Sequence, residues 1–299
     1  MTVQRKAHLD ALAVALLLLC CALWGVNQVA TKVALAEIPP LAQASARSLG
    51  GALLVWAWAK WRGVGIDWRD GTLAPGLLAG ALFAAEFGCI FIGLQHTAAS
   101  RMVVFLYLAP FVVALGMPWI AGGERLHGLQ WLGLLAAFSG VAWAFGEGLR
   151  GASGGQQWLG DALGLAGALL WGGTTLVIRG SRLTSASPEL TLLYQLVVSG
   201  VLLGLASSLT GEVLPRQLSG LAGGLLAFQI VVVTAFSYLL WFWLMRHYPA
   251  TTLSSFTLLT PLFGLLAGVV LLGEPLTARL ATACGAVALG IAVVNRRRA

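Results

Sequence analysis

Charge is what this sequence has least of. Only 10 % of its 299 residues are charged, 11 acidic against 18 basic, where a soluble globular domain carries about 25 %. With 59 % apolar residues and a mean hydropathy of +0.87, the shortage excludes an ordinary water-soluble fold and leaves a polytopic membrane protein. Cysteine is scarce too: Cys20, Cys21, Cys89 and Cys284 all sit inside apolar runs, with no spacing that suits a disulfide framework or a metal site. Catalytic patterns are missing. There is no HExxH, no paired catalytic carboxylates, and no Ser-His or Cys-His set at membrane depth, so the chain reads as no enzyme, with no cofactor and no metal. His96 and His247 stand at helix boundaries, where a structural histidine is the plainer reading. The net charge of +7 raises the question of nucleic acid, but the basic residues lie at the ends of apolar runs rather than in a patch, which argues against it.

What the sequence does contain is a repeat. Residues 97–126 (TAASRMVVFLYLAPFVVALGMPWIAGGERL) return in plan at 248–276 (YPATTLSSFTLLTPLFGLLAGVVLLGEPL). Met102 answers Leu253, Phe105 answers Phe256, Leu108 answers Leu259, Pro110 answers Pro261, and Gly123-Glu124 answers Gly273-Glu274 after a one-residue slip. Each copy is apolar for about 20 residues, enough to cross a bilayer as a helix. Pro110 and Pro261 are expected to kink those helices, freeing the carbonyls of Leu106 and Thr257 beside a cavity.

The expected fold class is an all-α polytopic membrane protein with ten apolar segments: 11–36, 41–60, 73–95, 98–121, 128–147, 158–180, 189–210, 219–245, 250–272 and 276–295. Residues 1–147 form one repeat of five helices and 158–299 the other, joined by a Gly/Ser-rich outer linker over 148–157. Arg5 and Lys6 ahead of an apolar run, with Ala34-Leu35-Ala36 after it, resemble a signal peptide. The run is too long, however, and carries Asn27 and Lys32. Leu23–Lys32 is also answered internally by Leu170–Arg179, so the first segment is expected to be retained. Lys60, Arg62, Arg69, Arg125, Arg179, Arg182, Arg246 and Arg296–Arg298 then gather on one side with Arg5 and Lys6, which by the positive-inside rule places both termini in the cytoplasm. An odd number of helices per half inverts the second half against the first, an arrangement suited to alternating access.

Polar residues within the segments are costly to lipid and mark candidate sites. Trp24, Asn27 and Gln28 form one group, with Trp171, Thr174 and Thr175 as its echo. Glu86, between Phe83 and Phe87, is the only carboxylate well inside a segment of the first half; it either pairs with Lys32, Arg47 or Arg101 or serves as a proton or cation site. Its counterpart is Ser237, followed by Tyr238, so the pseudo-symmetry breaks there. Gln229, Tyr194, Gln195, Tyr107 and Ser255 add hydrogen-bonding groups. Together these describe a neutral, aromatic-rich substrate-binding pocket for a small amphipathic molecule rather than a phosphate ester, which would need converging basic residues. Gly133, Ala136, Gly140 and Ala144 in segment five, and Ala281, Gly285, Ala288 and Gly290 in segment ten, form small-residue faces for close packing within the protomer or in a homodimer.

The ten segments, the inverted halves, the Trp-Gly pairs of segments one and six, the Pro110 and Pro261 helices ending in Gly-Glu, and the glycine-rich segments five and ten resemble the EamA family of the drug/metabolite transporter superfamily along essentially the whole chain. Within the family the aromatic pocket is most similar to the YddG-type exporters of aromatic amino acids. The resemblance implies an inner-membrane exporter with a central cavity and with segments five and ten peripheral. The expected partners are a small-molecule substrate and the lipid bilayer, and the expected activity is export of amino acids or similar solutes. The alternative is efflux of lipophilic cations and drugs.

Overall fold

The computed structural model describes residues 10–65, 70–120, 128–150, 156–248 and 257–294. Ser255, Phe256, Glu124, Arg125, Arg69, the terminal basic residues and residues 151–155 of the linker lie outside them. Among the described residues every regular element is a helix. Asp10 opens α1 (Ala11–Ala34) by accepting the Ala13 N–H at 2.9 Å, which satisfies one of the donors a helix start leaves bare. A proline in the first turn starts α2 (Pro40–Trp61), where its missing N–H has no intrahelical partner to lose. α3 (Leu73–Gly93) follows, and then α4 (Ala99–Leu106) and α5 (Ala109–Ile120), which form one interrupted pass. The interruption lies at Tyr107 and Leu108, because Pro110 has no N–H to return to the Leu106 carbonyl; Leu108 bonds Phe105 instead, at 3.2 Å.

The second half begins after α6 (Gly128–Arg150), which runs beyond residue 147 into the expected linker. α7 (Gln157–Arg179) leads through a short 3-10 turn, Arg182–Thr184, to α8 (Pro188–Leu209), capped by the Ser187 hydroxyl. The next pass changes pitch along its length: α9 (Gly220–Ala227) gives way to a π-helix over Phe228–Ser237 and then to α10 (Tyr238–His247). Such wide turns inside a helix concentrate at functional sites. Pro261 falls in the first turn of α11 (Thr260–Leu272), directly after the 3-10 turn Thr257–Leu259, so among the described residues it starts a helix rather than bending one midway. Gly273, at φ 64°, closes α11 in the left-handed conformation that favours glycine, and α12 (Ala278–Val294) completes the bundle.

Among the described residues, six helical stretches are long and apolar enough to cross a membrane: Ala11–Ala34, Leu73–Gly93, Ala99–Ile120, Gln157–Arg179, Pro188–Leu209 and Gly220–Trp241. Shorter apolar helices accompany them at Trp131–Ala144, Thr260–Leu272 and Ala278–Gly290. α2 is outside both sets although it has the length. Gln43, Ser45, Arg47 and Ser48 dilute its hydropathy, and all four are buried against other helices rather than turned to lipid.

Glycine lets the helices cross closely. A Cβ on Gly25 of α1 would fall 2.6 Å from the Gly264 nitrogen of α11, and one on Gly172 of α7 would fall 2.5 Å from Val112 of α5. α6 and α12 pack on each other: Gly133 meets Val293 and the Gly290 carbonyl, and Gly140 meets Ala286 and Ala283. The small-residue faces read from the sequence therefore need correction. Ala283, Val287 and Gly290 make the α12 side of this contact, while Ala136 and Ala281 are exposed and nothing lies within 4 Å of a Cβ on Gly285.

Successive antiparallel helices give the bundle two ends. At one, both Asp10 carboxylate oxygens accept from the Tyr248 hydroxyl, at 3.1 and 3.0 Å. At the other, Glu274 meets the start of α4.

Candidate functional site

A cavity of about 650 Å³ runs into the bundle from the Asp10 end, a size within the usual range for small-molecule sites. Its mouth lies between α7 and α8, where Arg179, Leu183, Thr184 and Pro188 line it. Its depth is reached by Asn27 and Gln28 from α1 and by Phe83, Glu86, Phe87 and Ile90 from α3. α4, the π-helix, α10 and α11 contribute Val103, Leu106, Tyr107, Val233, Tyr238, Trp241 and Thr260.

Aromatic rings dominate the wall. Trp24 packs edge-on against Tyr238 and Trp241, with ring centroids 6.5 and 5.4 Å apart. Its indole N–H donates to the Ser237 hydroxyl at 2.9 Å, which fixes the ring's tilt. Trp171 stands edge-on to Tyr107 at 5.6 Å, and Phe83 and Phe87 pack at 4.6 Å. Edge contacts of this kind hold rings in place while leaving faces free to stack on a planar group. Thr174 and Thr175 also line the cavity, but their hydroxyls bond back to the Leu170 and Trp171 carbonyls of their own helix.

Of the residues singled out in the sequence, Trp24, Asn27, Gln28, Phe83, Glu86, Phe87, Tyr107, Trp171, Thr175 and Tyr238 meet on this one wall. Gln195 joins them, its amide bonded to the Thr191 carbonyl. Three candidates lie elsewhere. Ser237 is buried behind Trp24 and reaches the cavity only through that hydrogen bond. Gln229 is fully buried in the π-helix, about one turn from Val233 toward the start of α9, and does not line the cavity. Tyr194 is also off the wall, its hydroxyl 3.1 Å from that of Thr72. Ser255 lies outside the described residues.

Glu86 is 4 % exposed, with Oε2 fully buried and without a hydrogen-bond partner among the described residues. None of the three cations expected for it makes a salt bridge with it. Lys32 lies 3.6 Å from Glu274 and donates to the Thr97 carbonyl. Arg101 forms a two-point contact with Asp161, Nε to Oδ1 at 3.1 Å and Nη2 to Oδ2 at 2.5 Å. Arg47 acts on Glu86 electrostatically, but its guanidinium carbon lies over the Phe87 ring, 3.8 Å from the centroid. Glu86 and Ser237 thus meet different surroundings: Oε2 of Glu86 has no hydrogen-bond partner among the described residues, while the Ser237 hydroxyl accepts from Trp24 and donates to the Val233 carbonyl of its own helix.

The far end of the cavity is shut by polar contacts. Glu274 accepts from the Ala99 and Ser100 N–H groups at 2.7 and 2.9 Å, a full negative charge on a helix N-terminus. Thr97 donates to Asp161 at 2.6 Å, and Arg101 also reaches the Ala144 carbonyl at 2.7 Å, which ties α4, α6 and α7 together. Glu212 caps α2 at Leu41 and Ala42, at 3.1 and 2.8 Å. The Ser219 hydroxyl and N–H bond Glu37 and hold its carboxyl below the usual glutamate range. The sequence reading missed this layer. Asp161 and Glu274 are single carboxylates near segment ends, and only their partners, about 60 and 175 residues away in sequence, separate them from interfacial charges. Among the described residues, no three His, Cys, Asp or Glu side chains converge as metal ligands.

Comparison with known proteins places this architecture. The family model for the EamA-like transporter family matches residues 11–146 and again 158–296. The uncharacterized transporter sll0355 of Synechocystis is 30 % identical over 92 % of this chain and 87 % of its own. The uncharacterized transporter YvbV of Bacillus subtilis is 29 % identical over 92 % and 88 %. The uncharacterized inner membrane transporter YedA of Escherichia coli is 27 % identical over 91 % and 87 %. A crystal structure with 21 % identity superposes at a TM-score of 0.67 over 94 % of this chain and 96 % of that one, and so shares the fold.

Proposed function

This chain belongs to the EamA-like transporter family and is a multi-pass membrane transporter of small solutes; from that premise we propose that it exports amphipathic organic solutes, foremost amino acids with aromatic or apolar side chains, across the inner membrane by alternating access. The observation that carries this reading is the cavity wall, where one carboxylate, Glu86, stands among Phe83, Phe87, Trp24, Trp171, Tyr107 and Tyr238. A substrate ammonium finds a charge partner there, and an aromatic side chain finds rings to pack on. A phosphate ester finds no converging cations.

The reading has ten spans in two inverted halves. In support, Gly25 of α1 crosses α11 at Phe263 and Gly264, while Gly172 of α7 crosses α5 at Val112; residues 25 and 172, and 263 and 112, hold matching places in the repeat. Lys60, Arg62, Arg179 and Arg182 lie toward the Asp10 end, which under the positive-inside rule is the cytoplasmic one. The cavity is then open to the cytoplasm and closed toward the outside, the state in which an exporter loads. Reporter fusions after Arg298 and within 151–155 test the topology, with cytoplasmic activity expected for the first and periplasmic activity for the second. A homodimer is left to the outward faces of α6 and α12, where Ala136 and Ala281 are exposed.

The decisive experiment is efflux of labelled tryptophan and leucine from preloaded proteoliposomes, with and without a pH gradient. Glu86→Gln keeps size and hydrogen bonding, and it is expected to insert normally but to lose most amino acid efflux or its dependence on pH. Normal efflux by that variant at every pH rejects the role given to Glu86. The lone carboxylate among rings also suits a lipophilic cation; efflux of such cations without amino acid efflux establishes that second reading.

A further inference from the structure

Among the described residues, Arg47 is the one strongly basic group at the depth of Glu86 that makes no salt bridge with a carboxylate. It sits seven residues into α2, is 0 % exposed, and none of Nε, Nη1 and Nη2 has a hydrogen-bond partner among the described residues. A guanidinium carries five N–H donors in a planar fork, and buried donors left unused in this way call for an explanation. The Phe87 ring covers this fork at 3.8 Å, with Phe91 behind at 5.9 Å. Phe87 is itself part of the cavity wall. A single aromatic ring thus separates the cavity from an unbound guanidinium.

Acceptors at the deep end of the cavity are unused as well. Glu86 Oε2, Asn27 Oδ1 and Gln28 Oε1 are buried without partners among the described residues, and all three residues line the deep end of the cavity. Donors on one side and acceptors on the other form a complement to a zwitterion. The guanidinium fork matches a carboxylate at two points, which no ammonium group on the wall would do. A role as plain counter-charge to Glu86 would put the two groups in contact, yet they make no salt bridge, and the guanidinium face is given to Phe87 instead.

We propose that Arg47 is the carboxylate-binding residue of the cavity, screened by Phe87 until a substrate carboxylate displaces the ring, and that it makes the transporter select amino acids over the corresponding amines. This rests on the amino acid reading above and names the group that would enforce it. Glu86, Asn27 and Gln28 take the ammonium, and the ring of Phe87, once displaced, joins the aromatic wall.

The test uses the full-length protein in nanodiscs and three probes that share an indole ring: tryptophan, tryptamine without the carboxylate, and indole-3-propionate without the ammonium. Wild type is expected to bind tryptophan more tightly than tryptamine. Arg47→Lys keeps the charge but loses the fork, and it should lower the tryptophan-to-tryptamine affinity ratio about tenfold, with tryptamine binding unchanged. Phe87→Leu removes the screen and should speed association of indole-3-propionate by about threefold or more relative to tryptamine, by lifting the cost of opening. It decides the matter should Arg47→Lys fail to fold. Equal loss for all probes in Arg47→Lys, or equal association rates in Phe87→Leu, overturns the proposal and makes Arg47 a structural charge. Binding of indole-3-propionate but not tryptophan, still sensitive to Arg47→Lys, supports the carboxylate site and refutes the amino acid reading. Binding of tryptamine alone refutes both.

Discussion

The two ends of the cavity are built from different materials. At the Glu274 end, charges meet in closed sets: Arg101 with Asp161 and Thr97, Lys32 with Glu274, and Glu212 and Glu274 on the bare N-termini of α2 and α4. At the Asp10 end the mouth carries Arg179 and Thr184, and the cross-links among the described residues include the Tyr248 hydroxyl on Asp10, the Thr72 and Tyr194 hydroxyls 3.1 Å apart, and the bond from Arg182 to the Asp70 carbonyl, at 3.1 Å. Charged hydrogen bonds on helix termini are strong yet few. The lesson is that the Glu274 end is held by polar contacts, whereas the helix crossings at Gly25 and Gly172 are held sterically.

The largest expected effect comes from breaking the buried pair. Asp161→Asn removes the carboxylate from its two-point contact with Arg101 and should cost about 3–5 kcal/mol of stability, while Asp10→Asn at the other end should cost about 1 kcal/mol or less. Thermal unfolding of the two purified variants measures the contrast, and equal losses would erase the distinction between the ends.

Next in size is Glu274→Gln, which removes the Lys32 partner and the charge on α4 together. A loss of about 1–2 kcal/mol from the closed state shifts the populations about fivefold to thirtyfold toward opening at that end. A cysteine at Ile90, in a chain freed of its four native cysteines, reports this shift. It should react with impermeant thiol reagents from the Asp10 side in the parent and from both sides in the variant.

Between the ends, Trp24→Ala and Trp171→Ala should each weaken transport of aromatic solutes by about threefold to tenfold relative to small ones, since stacking and area are what is lost. Trp24→Ala also frees the Ser237 hydroxyl, so Trp24→Phe separates ring from hydrogen bond. Uniform loss for every solute would assign both rings to folding.

The smallest effect is a dependence on pH at the start of α9. Ser219 holds the Glu37 carboxyl below its usual range, so the contribution is complete above the ordinary glutamate range and is lost as pH falls through the lowered value. Amide exchange in the first turn of α9, after correction for intrinsic rates, should rise on acidification below that range in the parent. In Glu37→Gln it should stay level.

Some of this was legible in the sequence and some was not. Periodicity plays little part, because the segments are apolar nearly all round. Length and the scarcity of charge mark the helices, and polar residues at depth mark Trp24, Asn27, Gln28, Glu86 and Trp171. The fate of each charge was not legible. Lys32, Arg47 and Arg101 look equivalent along the chain, yet one meets Glu274, one stacks on Phe87 and one binds Asp161. The π-helix at Phe228–Ser237 was equally hidden: FQIVVVTAFS has no proline or glycine to announce a change of pitch.

By itself, then, the sequence determined an all-helical membrane chain with internally repeated motifs, since segment length, hydropathy and the return of Pro-containing runs are properties of consecutive residues. Only the tertiary structure decided which end of the cavity is shut, which carboxylate each cation meets, and that Arg47 stands unbound behind a cavity ring. Those outcomes depend on contacts between residues far apart along the chain, and in a low-dielectric interior a displacement of a few ångströms separates an ion pair from an isolated charge.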